Sequence, residues 1–298
     1  MPLETPPLRS SAAMKGIAFM AAGTLFMGVN NAFLKLLTVG YPPGEILFFR
    51  GLFFFAPVVF FVWRGGGFKT LRIVSVKGHA LRAVLVVASA FLFVNSVRYL
   101  PLADVVAIGF SGTLFVTMLA GPMLGEHVGL RCWAAIVVGF IGILLVTRPG
   151  SSVFQLAVLL PLGAALATAL RDLYTRRLTM RESSNAIMVT SSAAILLSAL
   201  CTMPFGWRPL MLADFGLMAL SGVISGFGHY CMIETFRHAE AVLVSPFKYT
   251  AILWAVALGY IFWGDLPDAW VIAGSAVVIA SGLYILHREV LHQSTENP

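Results

Sequence analysis

The sequence predicts an all-α integral membrane protein with ten transmembrane helices, arranged as two inverted five-helix repeats around a central cavity. Three observations lead to this prediction. The chain of 298 residues is 59% hydrophobic and only 11% charged, whereas a soluble domain carries roughly 25% charged residues. Its apolar residues fall into ten runs of membrane-spanning length, and one helix-corner-helix pattern occurs twice at a fixed spacing.

The ten apolar runs follow one another through short connections. A spanning helix needs about 20 apolar residues. Runs near this length occur at 14–37, 43–63, 78–99, 101–124, 130–147, 153–175, 185–205, 211–236, 240–263 and 267–287. The connections carry glycine, proline or charge and leave no room for a soluble domain. Residues 1–13 are polar and show no removable signal, so we expect short cytoplasmic segments at 1–13 and 289–298.

A sequence duplication links the segments that begin at Arg98 and at Arg237, which are 139 residues apart. At this offset the Gly-Glu corner at 125–126 aligns without a gap with Gly-Asp at 264–265. A recurring pattern at fixed spacing indicates repeated structural units. We therefore expect a first repeat over 14–148 and a second over 153–288.

The positive charges predict the orientation of the chain in the inner (plasma) membrane. Thirteen of the 20 Lys and Arg residues fall on the side of the N-terminus, four on the opposite side and three inside helices. Cytoplasmic connections retain positive charge, so both termini should be cytoplasmic. Five spans per repeat make the second repeat enter from the opposite side, which inverts it. Inverted repeats are typical of secondary transporters that open a midplane site alternately to each side.

Several short strings together carry a family resemblance: the corners at 125–126 and 264–265, PPGEILFFR at 42–50, RYLPLAD at 98–104 and GFIGILLVTRPG at 139–150. The chain resembles the drug/metabolite transporter superfamily, specifically its EamA-type ten-helix members, over about residues 14–288. The resemblance implies a compact inverted-repeat bundle, a central cavity, cytoplasmic termini and transport of small organic metabolites. The branch it resembles most includes YddG-like amino-acid exporters, S-adenosylmethionine importers and riboflavin importers, which these motifs do not separate.

Lys248 is the leading candidate for a substrate-binding or gating residue. Charges inside a membrane are costly and tend to face a cavity or a partner. Lys248 lies near the midplane of the ninth predicted helix, where Pro246 frees a backbone carbonyl. Ser245, Lys248 and Tyr249 share one helix face, which suits a substrate carboxylate. The alternative is that Lys248 pairs with an acid on a neighbouring helix.

The eighth predicted helix carries a polar stripe that includes His229, Tyr230 and Glu234. His229 and Glu234 could exchange protons in a coupled cycle, because histidine titrates near neutral pH. Alternatively, Glu234 pairs with Arg237 at the cytoplasmic end, and both interpretations of His229 stay open. The Gly-x-x-x-Gly pair at 222–226 is expected to be a close helix contact rather than a ligand site.

A second polar group lies toward the outer side of the predicted bundle. Asn30 and Asn31 lie at a depth comparable to that of Asn95 and Arg50. These asparagines either build an outer vestibule that hydrogen-bonds substrate or join helices to one another. For Arg50 we expect a structural pairing role. Trp254 either lines an apolar part of the cavity or faces lipid.

These features favour a secondary transporter of small organic metabolites, foremost an exporter of amino acids. An importer of a cofactor-like metabolite on the same fold is the alternative, and an intramembrane enzyme is a remote one. The sequence has no GxxxxGK[ST] phosphate loop and no HExxH metal motif. We therefore expect no ATP hydrolysis, cofactor or metal site. The basic residues lie in short connections rather than on a soluble face, which argues against nucleic acid. The expected partners are a small-molecule substrate and the lipid bilayer.

Overall fold

The computed structural model describes residues 11–64, 75–124, 129–148, 156–179, 184–238 and 247–296. Within these residues the chain is helical and forms no β-strand. The α-helices are α1 Ser11–Leu37, α2 Pro43–Arg64, α3 Val76–Tyr99, α4 Leu102–Gly109, α5 Ser111–Leu124, α6 Leu130–Thr147, α7 Leu159–Thr179, α8 Ser184–Leu200, α9 Leu212–His238, α10 Thr250–Trp263 and α11 Ala269–Glu296. Short 3-10 helices occur at Leu156–Val158 and Met203–Phe205.

The length and apolarity of these helices agree with a multi-pass membrane protein. In the described part of the chain, seven segments are long and apolar enough to cross a membrane, and three shorter apolar helices accompany them. α6 illustrates how the helices face their surroundings. One side of α6 packs inward, whereas its other side exposes about half of each apolar side chain at Val137, Val138, Ile141 and Leu144. An apolar exposed side of this kind is suited to lipid.

The main helix contacts join the helices α1–α6 to the helices α7–α11. α1 packs along α9 and α10, and α7 packs correspondingly along α3 and α5. α2 packs on α9 and α8 packs on α3, while α2 also contacts α8 and α6 contacts α11. Exchanging the first half for the second therefore reproduces these main helix contacts.

The helix boundaries also recur at the offset of 139 residues seen in the sequence. α5 and α10 begin at Ser111 and Thr250, and α6 and α11 begin at Leu130 and Ala269. The equivalent helices α6 and α11 run antiparallel. The Ser281 hydroxyl donates to the Ala135 carbonyl at 2.8 Å at one end of their contact, and glycines 142 and 274 meet further along.

The glycine pair at 222–226 forms a close helix contact, as the sequence predicts. A Cβ atom at Gly226 would lie 2.6 Å from Cγ of Pro57, and one at Gly222 would lie 2.9 Å from Cβ of Phe53. Both neighbours belong to α2. Because the two glycines of α9 have no side chains, the two helices can approach closely at this point. Local sequence spacing was sufficient to predict this contact.

Helix boundaries differ from the sequence prediction at several places; for example, α8 ends at Leu200 instead of 205. The expected helix at 101–124 is divided at Phe110, and α11 continues through Glu296 instead of ending at 287. The extension is physically reasonable, because a helix satisfies its own backbone hydrogen bonds and need not end where the membrane does. The Gly-Asp corner is described: Gly264 adopts a left-handed conformation with φ of 70° and caps α10. The Gly-Glu corner at 125–126 lies outside the described residues.

Candidate functional site

Two helix irregularities, at Phe110 between α4 and α5 and at Tyr249 just before α10, lie against each other. The Thr113 amide donates to the Phe110 carbonyl at 3.1 Å, and the Ile252 amide donates to the Tyr249 carbonyl at 3.1 Å. Such tight turns in or next to a helix often mark hinges. The Phe110 and Tyr249 rings are 4.9 Å apart between centroids. Because these residues are 139 positions apart, each kink contacts its own equivalent.

Lys248 lies directly before this kink and its side chain is exposed. Within the described part of the chain it makes no hydrogen bond or ion pair, so the alternative of a paired acid has no support there. The equivalent position, Gly109, is also exposed, and a Cβ atom there would have open space around it. Lys248 therefore projects from the chain beside the hinge, and its role in binding or gating stays a prediction.

A compact polar cluster joins α1, α2 and α9. The buried Asn30 accepts two hydrogen bonds at Oδ1, from Nε of Arg50 at 3.0 Å and from the Ser221 hydroxyl at 2.8 Å. Its Nδ2 donates to Oδ1 of Asn31 at 3.2 Å. Arginine and this hydroxyl both act as donors, which fixes the orientation of the Asn30 amide. The structure thus brings together three residues that sequence depth alone had grouped, Asn30, Asn31 and Arg50.

His229 lies on the accessible side of α9, one turn beyond Ser225. Its Nδ1 is 2.8 Å from the Ser225 carbonyl, and its ring packs edge-on against Phe54 with centroids 5.4 Å apart. A carbonyl oxygen can only accept, so Nδ1 is the donor and a neutral ring leaves Nε2 as an acceptor. The ring is therefore oriented by its own helix and packs against Phe54 of α2.

The remaining candidates separate from this cluster or are only partly described. Nδ2 of Asn95 donates to the Phe91 carbonyl of its own helix at 2.8 Å, so Asn95 is not joined to the other asparagines. Trp254 is half-buried against Gly28 of α1, and its enclosed Nε1 has no hydrogen-bond partner in the described chain. Trp254 therefore does not simply face lipid. Tyr230 is half-buried on α9. Ser245 and the side chain of Glu234 lie outside the described residues.

Two ion pairs tie the α10–α11 connection to the first half of the chain. Nζ of Lys35 lies 3.0 Å from Oδ2 of Asp265 and 4.4 Å from the centroid of the Trp263 ring. Arg148, at the end of α6, pairs with Asp268. Lys35 is largely shielded, with 14% of its side chain exposed, so this pair is screened less than a surface pair. These contacts close one end of the bundle.

A small pocket lies between the α1–α2 and α8–α9 connections. Its volume is about 100 Å³, whereas ligand sites usually measure roughly 300–1,000 Å³. It is lined by Val39, Gly40, Tyr41, Pro42, Arg98, Gly206 and Arg208. The pocket is too small to enclose an organic metabolite.

The duplicated helix pattern corresponds to a known family. The sequence model of the EamA-like transporter family matches residues 14–148 and, a second time, residues 155–287. The chain belongs to the EamA-like transporter family. This assignment confirms the resemblance to the drug/metabolite transporter superfamily that the sequence motifs indicate.

Relatives of this EamA-like transporter carry different metabolites. It is 23% identical over 291 residues to the S-adenosylmethionine uptake transporter of Rickettsia prowazekii, covering 95% of this chain and 96% of that one. The pseudopaline exporter CntI of Pseudomonas aeruginosa is 25% identical over 271 residues, covering 89% and 94%. The riboflavin transporter of Rhizobium johnstonii is 26% identical over 289 residues, covering 94% and 93%. A solved crystal structure superposes with a TM-score of 0.65 at 17% identity over 93% of this chain and 97% of that one. The crystal structure shows the same fold, and the three named relatives are transporters rather than enzymes.

Sequence reasoning missed one contact of this EamA-like transporter. It gave no hint that Lys35 contacts Asp265, because the two are 230 positions apart. Only the placement of charged residues near helix ends was visible, and that pattern does not identify partners. For Arg50 it expected a structural pairing role, and the contact found in the described part of the chain is the hydrogen bond to Asn30, without an acidic partner.

Replacing Lys248 with methionine should reduce transport at least tenfold without changing membrane insertion or thermal stability. The side chain is exposed and makes no contact that stabilises the described fold, while methionine keeps its length and removes its charge. Flux in proteoliposomes measures the effect. Lys15→Met, at another exposed lysine, is the matched control and should transport normally. Unchanged flux in K248M would remove Lys248 from the site.

Proposed function

We propose that this EamA-like transporter is a secondary transporter of small organic metabolites, working by alternating access between two inverted five-helix repeats. The ten spans would form a first repeat over 14–148 and a second over 153–288, with cytoplasmic segments at 1–13 and 289–298. In this arrangement the two halves rock around a midplane site in the inner membrane. The distribution of Lys and Arg supports cytoplasmic termini.

The repeat arrangement is supported by three independent features of the fold. Equivalent helices begin at the same offset, exchanging the halves reproduces the main helix contacts, and the family model matches twice. The antiparallel contact of α6 with α11 supports the inversion. An axis that relates two antiparallel helices is perpendicular to them, and for spanning helices it lies in the membrane plane.

The contact between Phe110 and Tyr249 is the observation that carries the proposal. Equivalent residues that touch lie on the axis relating the repeats, and here both residues are also helix kinks. Secondary transporters commonly place their sites where interrupted helices from two repeats meet. Lys248 beside one kink and Gly109 beside the other make this meeting point chemically asymmetric. An asymmetric centre is what a site for a polar solute requires.

For the substrate we propose amino acids or similar solutes, moved outward. Intramembrane cations and hydrogen-bonding side chains support a substrate with a charged polar end. The alternative, an importer of a cofactor-like metabolite, is favoured by a different observation. Two of the named relatives are an S-adenosylmethionine uptake transporter and a riboflavin transporter.

Proteoliposome flux with the full-length protein tests both hypotheses, amino-acid export and import of a cofactor-like metabolite. Labelled amino acids, S-adenosylmethionine and riboflavin are each supplied inside or outside the vesicles, with and without a pH gradient. We expect saturable amino-acid movement above that of protein-free vesicles. Movement of S-adenosylmethionine or riboflavin alone would favour the importer.

A matched variant on the lipid side separates specific flux from leakage. Ile141 is half exposed on the apolar face of α6, so Ile141→Leu should leave every rate unchanged. Failure of all solutes across the panel, in vesicles that contain folded protein, would overturn the transporter assignment.

A further inference from the structure

Arg50 is a charged group in the membrane-spanning part of α2. It stands seven residues, or about 10 Å, beyond Pro43 within the apolar span Pro43–Phe60. The residue is half-buried in the described structure. A cation in such a place needs a compensating partner. The question is therefore which group neutralises Arg50.

The described structure does not supply that partner. Arg50 makes one side-chain hydrogen bond there, from Nε to Asn30, and no ion pair. A guanidinium group has five N–H donors, so the four on its two terminal nitrogens remain available. The acidic side chains that the structure describes lie against other groups, namely Glu45 with Arg208, Asp172 with Arg171, Asp214 with Tyr41, Asp265 with Lys35, Asp268 with Arg148, and Asp104 near the last two pairs.

Arg82 provides an internal comparison, because it too lies within a membrane-spanning helix. Its Nε donates to the Thr175 hydroxyl at 2.7 Å, and Nη1 donates to Ser191 and to the Ile187 carbonyl. Three acceptors from α7 and α8 thus fix Arg82 in place. Arg50 has none of these at its terminal nitrogens, so a purely structural role explains Arg82 and leaves Arg50 unexplained.

The residues around Arg50 hold its guanidinium group in one orientation. Asn30 is 1% exposed and Ser221 is 0% exposed, so the hydrogen bond between them is enclosed. Nε is anchored at Asn30, and the forked terminal nitrogens are left to receive a ligand. This fork matches the two oxygens of a carboxylate, and bidentate pairs of this kind are among the strongest hydrogen bonds in proteins.

We infer that Arg50, held by Asn30 and Ser221, binds the carboxylate of the transported metabolite. The inference rests on the proposed transport function and narrows its substrate class to small solutes that carry a free carboxylate. His229 packs against Phe54, one turn beyond Arg50 on α2, and its Nε2, which its own helix does not use, would contact the rest of the solute. Lys248 belongs to a different helix and is tested separately.

The test compares carboxylates with their uncharged amides. Flux and ligand-dependent thermal stabilisation are measured in neutral phosphatidylcholine for L-phenylalanine and L-methionine and for their carboxamides. Wild type should favour the acid of each pair at least tenfold. Arg50→Gln should lose this preference, and Arg50→Lys should regain part of it. Arg98→Gln, at an exposed arginine, should change neither rate more than twofold.

The outcomes separate the inference from the transporter assignment. Equal handling of acid and amide by the wild type overturns the inference even if R50Q does not fold. So does an acid preference that persists in folded R50Q, or one that appears only with anionic lipid. If wild type and R50Q carry riboflavin equally well, the carboxylate inference is wrong and the transporter assignment stands. If carboxylates stabilise the protein but no solute is moved, the carboxylate site stands and the transporter assignment is wrong.

Discussion

Replacing Gly274 with leucine is expected to separate α6 from α11 and to abolish transport, although the substitution makes the chain more apolar. A Cβ atom at position 274 would lie 2.5 Å from the Gly142 carbonyl oxygen and 2.6 Å from Cγ2 of Val146. Two backbones meet there, and backbone cannot move aside as a side chain can. Even alanine should cost about 1–3 kcal/mol of stability by overpacking. Thermal unfolding in detergent and proteoliposome flux measure the two effects.

Gly216 of α9 provides the matched control for this substitution. It is exposed, and a Cβ atom added there would meet no described atom within 4 Å. Alanine in an open helical position should raise stability by about 0.5–1 kcal/mol, because glycine loses more conformational freedom on folding. Equal effects of G216A and G274A would contradict the close α6–α11 contact.

Reversing the charge of Asp265 to lysine is expected to lower flux at least tenfold. The variant places two ammonium groups together at the contact that joins Lys35 of α1 to the α10–α11 connection, where the pair is now 3.0 Å apart. The pair closes one end of the bundle, so repulsion should favour conformations in which that end is open. Because 40% of the Asp265 side chain is exposed, the loss of stability itself should be modest, about 1 kcal/mol.

The double variant Lys35→Asp with Asp265→Lys distinguishes the attraction between the two residues from the separate effect of each substitution. It restores opposite charges and should recover a substantial part of the flux, although the contact of Lys35 with Trp263 is lost. Accessibility of a cysteine at Leu37, a buried residue at the end of α1, reports opening through its rate of thiol modification. Flux that stays low in the exchange, with unchanged thiol reactivity, would show that the ion pair does not control this end.

Helix positions were predictable because the membrane imposes a length on each apolar run. The predicted run at 130–147 coincides with α6, and that at 43–63 ends one residue before α2 does. The division at Phe110 was not predictable, since a tightened turn keeps helical dihedrals and changes no hydrophobic pattern. φ and ψ of Phe110 are −66° and −15°, nearer a 3-10 turn than an α-helix but still in the helical region.

Partners across the bundle were less accessible to sequence reasoning, because they depend on how each helix is rotated. The sequence places Asn30 and Arg50 at similar depth, but only the packing of α1 on α9 brings Ser221 to the same amide oxygen. Likewise, Asn95 occupies a comparable depth and turns to its own backbone instead. The position of a residue in the chain predicts its depth in the membrane, whereas the direction of its side chain depends on how the helices pack.

The ring contact of Phe110 with Tyr249 has a mechanical consequence. Residues on a two-fold axis keep their position when the two repeats exchange conformations. In the proposed exchange between outward-open and inward-open forms, this contact would act as the fulcrum. Substitutions there should slow both directions of the exchange equally and leave the ratio of the two forms unchanged, whereas substitutions at the distant ion pairs should shift that ratio.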